Sequence, residues 1–410
     1  MQDILDRFIR YVKINTRSDE KVTDRTPSTE NQWELARLLE KELENLGMQD
    51  VLLNEKCFLT ATLPANTDRK LPVIGFLAHM DTSPDFSADH VSPQIIENYD
   101  GGDIALKGKP GLLLSPKEFP ALLKYKGETL VTTDGTTLLG ADDKAGIAAI
   151  MHALETMIAN PDFRHGTVKV AFTPDEETSY GIGHFDVERF AADFAYTVDG
   201  GELGEMEYEN FNAGRAFVNV NGKSVHPGDA KNVMVNAMLV FFEFNSLLPV
   251  EQRPEYTAGR EGFYHLWQMS AGSVEHVEGI YLLRDHDAAK YDRKKQMIQD
   301  CAEFMNRKYG AGTVEIRIEE LYRNMREQLE PVIHIVETAQ QAMRDLGITP
   351  ITNPIRGGTD GARLSFKGLP TPNIFNGGHN FHGPYEFLVV DTMRKASQVI
   401  LKIIELYADK

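Results

Sequence analysis

Five short motifs in this chain combine acids and histidines in ways that could do chemistry. They are His79-Met80-Asp81, Gly140-Ala141-Asp142-Asp143-Lys144, Asp175-Glu176-Glu177, Val198-Asp199-Gly200, and His382 with Glu386 four residues on. Together they offer two imidazoles and several carboxylates, a donor set that suits zinc or a similar divalent cation and also admits cobalt or manganese. If Glu177 binds a cation, its neighbour Glu176 is left as an acid beside the metal, where a general base belongs. That combination points to metal-assisted hydrolysis.

Each motif also has a plainer reading. Asp142-Asp143 could cap the helix that follows, because aspartates favour its first turn. Asp-Glu-Glu is commonly a solvated acidic turn, Asp199-Gly200-Gly201 a simple turn, and His382 a hydrogen-bonded loop histidine. The metal reading gains from the occurrence of all five in one chain, most of them just after runs that read as strands.

Those runs are the elements that must position the site. Val73–Ala78 ends at His79, 168–173 ends just before Pro174, and 194–198 ends at Asp199; Leu59–Leu63 reads as a further strand. A helix over 144–158 follows the second motif. This alternation predicts an α/β sheet with substantial parallel character. In such sheets ligands bind beyond the carboxyl ends of the strands, which would bring distant motifs to one edge. A carboxylate can bridge two cations and an imidazole cannot, so two cations sharing one aspartate is an economical arrangement.

Outside this frame, Ile4, Phe8 and Val12 mark an amphipathic helix. Residues 31–46 mark a second, with Trp33, Leu35, Leu38, Leu39 and Leu43 as its core face. Residues 83–126 form a long polar excursion, of the kind that is functional or locally ordered. The pattern changes after residue 210. Strands over 216–220, 266–271, 280–284 and 313–318 alternate with helices over 233–248 and 290–308, a split βαβ pattern. Residues 211–320 therefore read as an α+β domain inserted into an outer domain of 1–210 and 321–410. That outer domain closes with helices over 330–346 and 392–407.

The 410 residues carry a formal net charge of −18, which repels phosphate backbones and argues against nucleic acid as a partner. Cys57 and Cys301 are the only cysteines, too few for a disulfide framework or a thiolate metal site. The start of the chain has no apolar signal core and no run is long enough to span a bilayer, so a cytoplasmic protein without membrane attachment is expected.

The stretches LAHMDTSPD, LLGADDKAGIA, FTPDEE, YTVDGG, KSVHPGDAKN, IRGGTDGARLS and NGGHNFHGPYEF resemble those of the dinuclear zinc metallopeptidase family that includes carboxypeptidase G and aminoacylase. The likeness covers essentially the whole chain and is strongest to the family's tripeptide aminopeptidases. It implies a mixed, largely parallel sheet flanked by helices, with an inserted ferredoxin-like lid and dimerisation domain. It also implies two zinc ions per subunit. Asp142 would bridge them, His79 and Asp199 would complete one site, and Glu177 and His382 the other. His379 lies in the same motif, but the spacing to Glu386 favours His382. Asp81 would orient His79, and Glu176 would act as base on a water bridging the metals. His226, in Lys223-Ser224-Val225-His226-Pro227-Gly228, resembles the family histidine that steadies the oxyanion, in dimeric relatives across the subunit boundary, so the likeness admits a homodimer.

Arg356, in Arg356-Gly357-Gly358-Thr359-Asp360, suits a clamp on a substrate carboxylate, with Asn324 and Arg284 as further substrate-binding candidates. An aminopeptidase must also read a free amine, and an acid from the 83–126 excursion could do so. The expected activity is release of the N-terminal residue from tripeptides. An N-acyl-amino-acid amidohydrolase with the same core, or a metal-binding protein without catalysis, would use the same ligands; the unliganded Glu176 argues against the last.

Overall fold

The computed structural model describes residues 3–270 and 272–409. The chain divides into two compact units, one of residues 1–208, 327–352 and 359–410, the other of 209–326 and 353–358.

The first unit is built on a seven-stranded sheet. Its centre is four parallel strands in the order Val168–Thr173, Ile74–His79, Phe194–Gly200, Asn373–Phe375. Antiparallel strands close both edges, Leu59–Leu63 and then Gln49–Leu53 on one side, Met206–Glu207 on the other. Every residue of Ile74–His79 is buried, so this strand has cover on both faces. The helix Ala141–Ala159 supplies part of that cover, and about two thirds of its residues are buried. It lies so close to Phe194–Gly200 that a Cβ on Gly146 would stand 2.1 Å from the Val198 carbonyl, which explains the glycine there. The mixed, largely parallel sheet flanked by helices is the architecture expected from the sequence.

The helix Gln32–Asn45 buries Gln32, Leu35, Ala36, Leu39 and Leu43. Trp33 and Leu38, expected on its core face, are only half-buried. The buried seam runs through 32, 35, 36, 39 and 43, one helical stripe, and Trp33 lies to its side under the Arg37 guanidinium.

The 83–126 excursion is ordered. It contributes the strand Gln94–Ile96 to a second sheet of four strands, with Leu130–Thr132, Phe387–Val389 and Gly378–His379. Tyr99, Ile104, Leu114, Leu122 and Tyr125 pack with Phe387 and Val389 in a core of their own. The hairpin of this sheet, 378–389, carries the last histidine motif.

The second unit has four antiparallel strands in the order Phe263–Met269, His276–Asp285, Asn212–Asn221, Val314–Tyr322. The helices Ala237–Leu247 and Ala288–Tyr309 pack on the sheet, burying Phe241, Phe244, Ile298 and Met305 with Val218, Tyr281 and Leu283. The order βαββαβ is the ferredoxin-like pattern. The first of these helices begins at Ala237, not Val233, because the Asn236 side chain accepts from the Met238 and Leu239 N–H groups and caps it. Ala271, the end of the expected strand 266–271, lies outside the described residues. The unit starts at 209, ends at 326 and takes in 353–358, so it is wider than the 211–320 span read from the sequence.

Candidate metal centre

The parallel strands deliver the motifs to their carboxyl edge. His79 is the last residue of its strand and pairs with Thr173 at the end of the next. Asp199 sits near the end of the third. Gly140, with φ +81°, turns the chain into the helix Ala141–Ala159, but Asp142 and Asp143 keep non-helical dihedrals.

The two adjacent aspartates divide the roles that the sequence left in competition. Asp143 is the cap: its Oδ1 accepts from Gly146 N at 3.1 Å and from Asn376 Nδ2 at 2.9 Å, and its Oδ2 from His79 N at 3.3 Å. Asp142 faces the imidazoles. Its Oδ1 is 2.8 Å from His79 Nε2 and its Oδ2 is 3.3 Å from His382 Nε2. Asp199 Oδ1 stands 3.6 Å from His79 Nε2, and Glu177 Oε2 stands 3.0 Å from His382 Nε2. Ligand atoms on one cation at bonds of about 2.0–2.1 Å are separated by roughly 3.3 Å, so these spacings fit shared cations.

His79, Asp142 and Glu177 offer ligand atoms that lie within 4.8 Å of one another, as do His79, Asp143 and Asp199. In the second group Asp143 is already engaged by three donors, so Asp142 is the better ligand. Glu177 Oε1 is buried with no hydrogen-bond partner, an acceptor aimed at something that is not protein. The donor set therefore fits divalent cations.

The electrostatics agree. Burial pulls the His79 pKa down, but Asp199 and Asp142 outweigh it and raise it well above the ordinary value. Burial opposes His382 too, yet Asp142 and Glu177 push it up to about 12. Burial and the nearby Asp142 charge raise Glu177 to about 8. Burial also raises Glu176, helped by the charge of Asp360, whose carboxyl accepts from Thr173 Oγ1 at 3.0 Å. The cluster draws positive charge to itself, as clustered carboxylates do.

Three further acids hold the ligands. The carboxylate of Asp81 accepts from Glu176 N at 3.0 Å and Glu177 N at 3.2 Å. Its Oδ1 is 3.4 Å from His79 Nδ1, which lies closer, at 3.0 Å, to the Asp81 carbonyl. Asp85 Oδ2 lies 3.1 Å from His382 Nδ1, the same orienting contact on the second histidine. Asp175, at φ +58°, accepts from Ser28 N, Ser28 Oγ and Gln32 Nε2 and pins the turn that carries Glu176. His379 is away from this set: it stacks on Phe387 and its Nε2 is 2.8 Å from the Tyr125 hydroxyl.

A family model for peptidase family M20/M25/M40 matches residues 131–406. The peptidase T of Alkaliphilus oremlandii (strain OhILAs) is 55% identical over 410 residues, all of both chains. That of Caldanaerobacter subterraneus subsp. tengcongensis is 56% identical over 410 residues, again all of both. The chain belongs to peptidase family M20/M25/M40. It is a hydrolase, and the cluster just described is a candidate for the dinuclear metal centre typical of that family. The M20 fold is matched by the aminopeptidase PepT of Bacillus cereus, with TM-score 0.78 and 22% identity over 99% of this chain and 98% of that one. A dinuclear metal-binding M20 peptidase of Bacillus subtilis matches with TM-score 0.66 and 14% identity over 99% of both. Among the described residues of this M20 chain, no helix is long and apolar enough to cross a membrane.

The remaining expected residues lie in the second unit. His226 is exposed, with 81% of its side chain open to solvent, and its Nδ1 accepts from Gly228 N at 3.1 Å. Arg356 donates to the carbonyls of Gly259, Glu261 and Thr257 and to Thr257 Oγ1, and lies over Phe211. Four of its five N–H groups are thus engaged, and in this conformation it braces the 257–261 loop instead of presenting a clamp. Asn324 is buried: its Oδ1 accepts from Asn210 N and Arg326 N, and its Nδ2 donates to the His286 carbonyl. It ties the strand ends of the unit together, which leaves little of it for a substrate. Arg284 donates to the Gly214 and Leu283 carbonyls and lies over Tyr322, a brace within the sheet.

Proposed function

We propose that the chain is a metal-dependent aminopeptidase that removes the N-terminal residue from tripeptides, using two zinc ions. The observation that carries this is Asp142, with one oxygen toward His79 and the other toward His382, beside an unpartnered Glu177 Oε1. His79, Asp199 and Asp142 would hold one ion, and Asp142, Glu177 and His382 the other. Bound cations would supply Lewis acidity to the peptide carbonyl and acidify a water.

The protein's own residues do the rest. Glu176 is held by its backbone to Asp81, is not one of the proposed ligands, and has its proton affinity raised by burial and Asp360. It takes the proton of the attacking water and returns it to the leaving amine. The likeness of the His226 motif to the family's oxyanion histidine supports the same role for it, and because its Nδ1 accepts from Gly228 N, Nε2 is the ring atom left to donate. The name peptidase T borne by full-length relatives 55% and 56% identical supports this reading.

The test is mass spectrometry of products from a free tripeptide of three different residues and from its N-acetylated form. Release of the first residue from the free peptide alone is expected. Removal of the acetyl group instead would assign the protein to the amidohydrolases, and cleavage of neither would refute both.

A further inference from the structure

We infer that Glu386 is a positioning residue that sets the span between the two halves of the metal centre. The inference rests on the metal reading above. Glu386 is 1% exposed, and its carboxylate accepts from four consecutive backbone N–H groups. Oε2 accepts from Leu139 N at 2.7 Å and Gly140 N at 3.0 Å; Oε1 accepts from Ala141 N at 2.7 Å and Asp142 N at 3.3 Å. These N–H groups belong to the turn ahead of a helix, where no carbonyl four residues back serves them. A carboxylate with four acceptor sites answers all four at once, and no neutral side chain does.

The consequence lies in what each end carries. The donors end at Asp142, the residue shared between His79 and His382. The acceptor stands four residues after His382, on the same hairpin loop, where Glu386 N also donates to the Gly383 carbonyl at 3.3 Å. His382 itself has φ +66° and 41% of its side chain exposed, so it has little packing of its own to fix it. Through Glu386 the loop bearing His382 is anchored to the loop bearing Asp142. Lys144 fixes the Asp142 side from another direction. Its buried ammonium donates to the Ile14 carbonyl at 2.7 Å, in the field of Glu386 and Asp81. Glu386 touches no ligand atom; it fixes the distance between two of them.

The test is stepwise zinc and cobalt titration of the metal-free protein, comparing parent, Glu386→Gln, Glu386→Asp and a stability control, Val399→Ala, in the helix Val390–Asp409. Glu386→Gln turns an NH2 group toward two of the four N–H groups. It is expected to weaken the looser of two cations about 10–100-fold, the range for outer-shell ligands of a metal. The tighter cation should be affected less, and kcat should recover as metal is raised. Glu386→Asp keeps the charge one methylene short and should fall between; it carries the test if the glutamine variant does not fold. Val399→Ala should lower the melting temperature and leave both affinities alone. Unchanged affinities in a folded Glu386 variant, or equal weakening in Val399→Ala, would overturn the inference. A parent that binds no divalent cation would instead overturn the metal reading on which it stands.

Discussion

Replacing Asp81 by Asn changes one oxygen for an NH2 group and little else in size. Asp81 is fully buried, and its two oxygens accept from Glu176 N at 3.0 Å and Glu177 N at 3.2 Å. An asparagine can keep one of these bonds and must point its amide at the other N–H. The loss is one hydrogen bond to a charged acceptor, worth about 1.5–3 kcal/mol. At about 1.4 kcal/mol per decade that is roughly 10–150-fold. The usual cost of removing an outer-shell partner from a metal site, about 10–100-fold, is an independent figure in the same range. Because the lost bond fixes the base and a proposed ligand but touches no substrate, the fall should appear in kcat and in metal affinity, with KM nearly constant. Steady-state kinetics on a tripeptide at saturating metal, with a metal titration of the stripped protein, measures both. A variant within twofold of the parent in kcat, with unchanged metal uptake, would show that the Asp81 contacts do not hold the site.

Glu176→Gln should retain both cations and lose about 10²–10⁴-fold in kcat, the share of a general base; retained turnover would remove Glu176 from that role. Chelation should abolish activity and lower the melting temperature, because a ligand at 100–1,000 times its Kd stabilises by about 3–4 kcal/mol; an unmoved melt with full activity would exclude the metal centre. His226→Ala should keep its metals and its fold but lose turnover, and unchanged kcat would exclude the oxyanion role. His379 gives a pH effect on stability. Burial lowers its pKa from 6.5 to about 4. Between those values the unfolded chain holds a proton that the folded one refuses, so this stability is present above pH 6.5 and lost as pH falls toward 4. The span corresponds to roughly 3 kcal/mol. Urea unfolding of metal-free His379→Gln should therefore show a shallower acid loss than the parent, and equal slopes would contradict the assignment.

Three of the four parallel strands at the centre of the sheet were legible because buried strands write themselves as apolar runs, as in Ile74–His79, ending where the chemistry begins; the fourth, Asn373–Phe375, is three residues long and too short to register. The βαββαβ order of the second unit was legible for a different reason, the alternation of apolar and polar residues in strands with one covered face, as in Asn212–Asn221. Boundaries were harder. The helix expected from Val233 starts at Ala237 because one side chain, Asn236, competes for its first N–H groups, and periodicity does not register a cap. Trp33 looked like core by its type, yet the stripe through 32, 35, 36, 39 and 43 leaves it to the side. The order of the 83–126 excursion was hidden because its strands are two or three residues long, too short for a pattern, and the one that joins the second sheet, Gln94–Ile96, pairs with 130–132, too far along the chain for a local signal.

In the candidate site, the residues proposed as ligands were easier to read than those that hold them. A ligand announces itself by type and by standing at a strand end. An anchor such as Glu386, Asp85 or Asp175 is an acid whose partners are backbone N–H groups, a buried hydroxyl or an imidazole from elsewhere in the chain. In sequence it is indistinguishable from the many acids that give this protein its charge of −18. Glu386 was noticed only for its spacing from His382, and its four donors lie some 245 residues earlier. The same blindness works in reverse for Arg356, Arg284 and Asn324. Each is a residue type that binds substrates, and each is engaged in this conformation by carbonyls or N–H groups of its own unit. Residue type shows what a side chain can bind, and only the fold shows which partner reaches it first. A candidate centre of this kind is therefore read from the sequence as a list of donor residues, while the geometry that brings them together rests on acids outside that list.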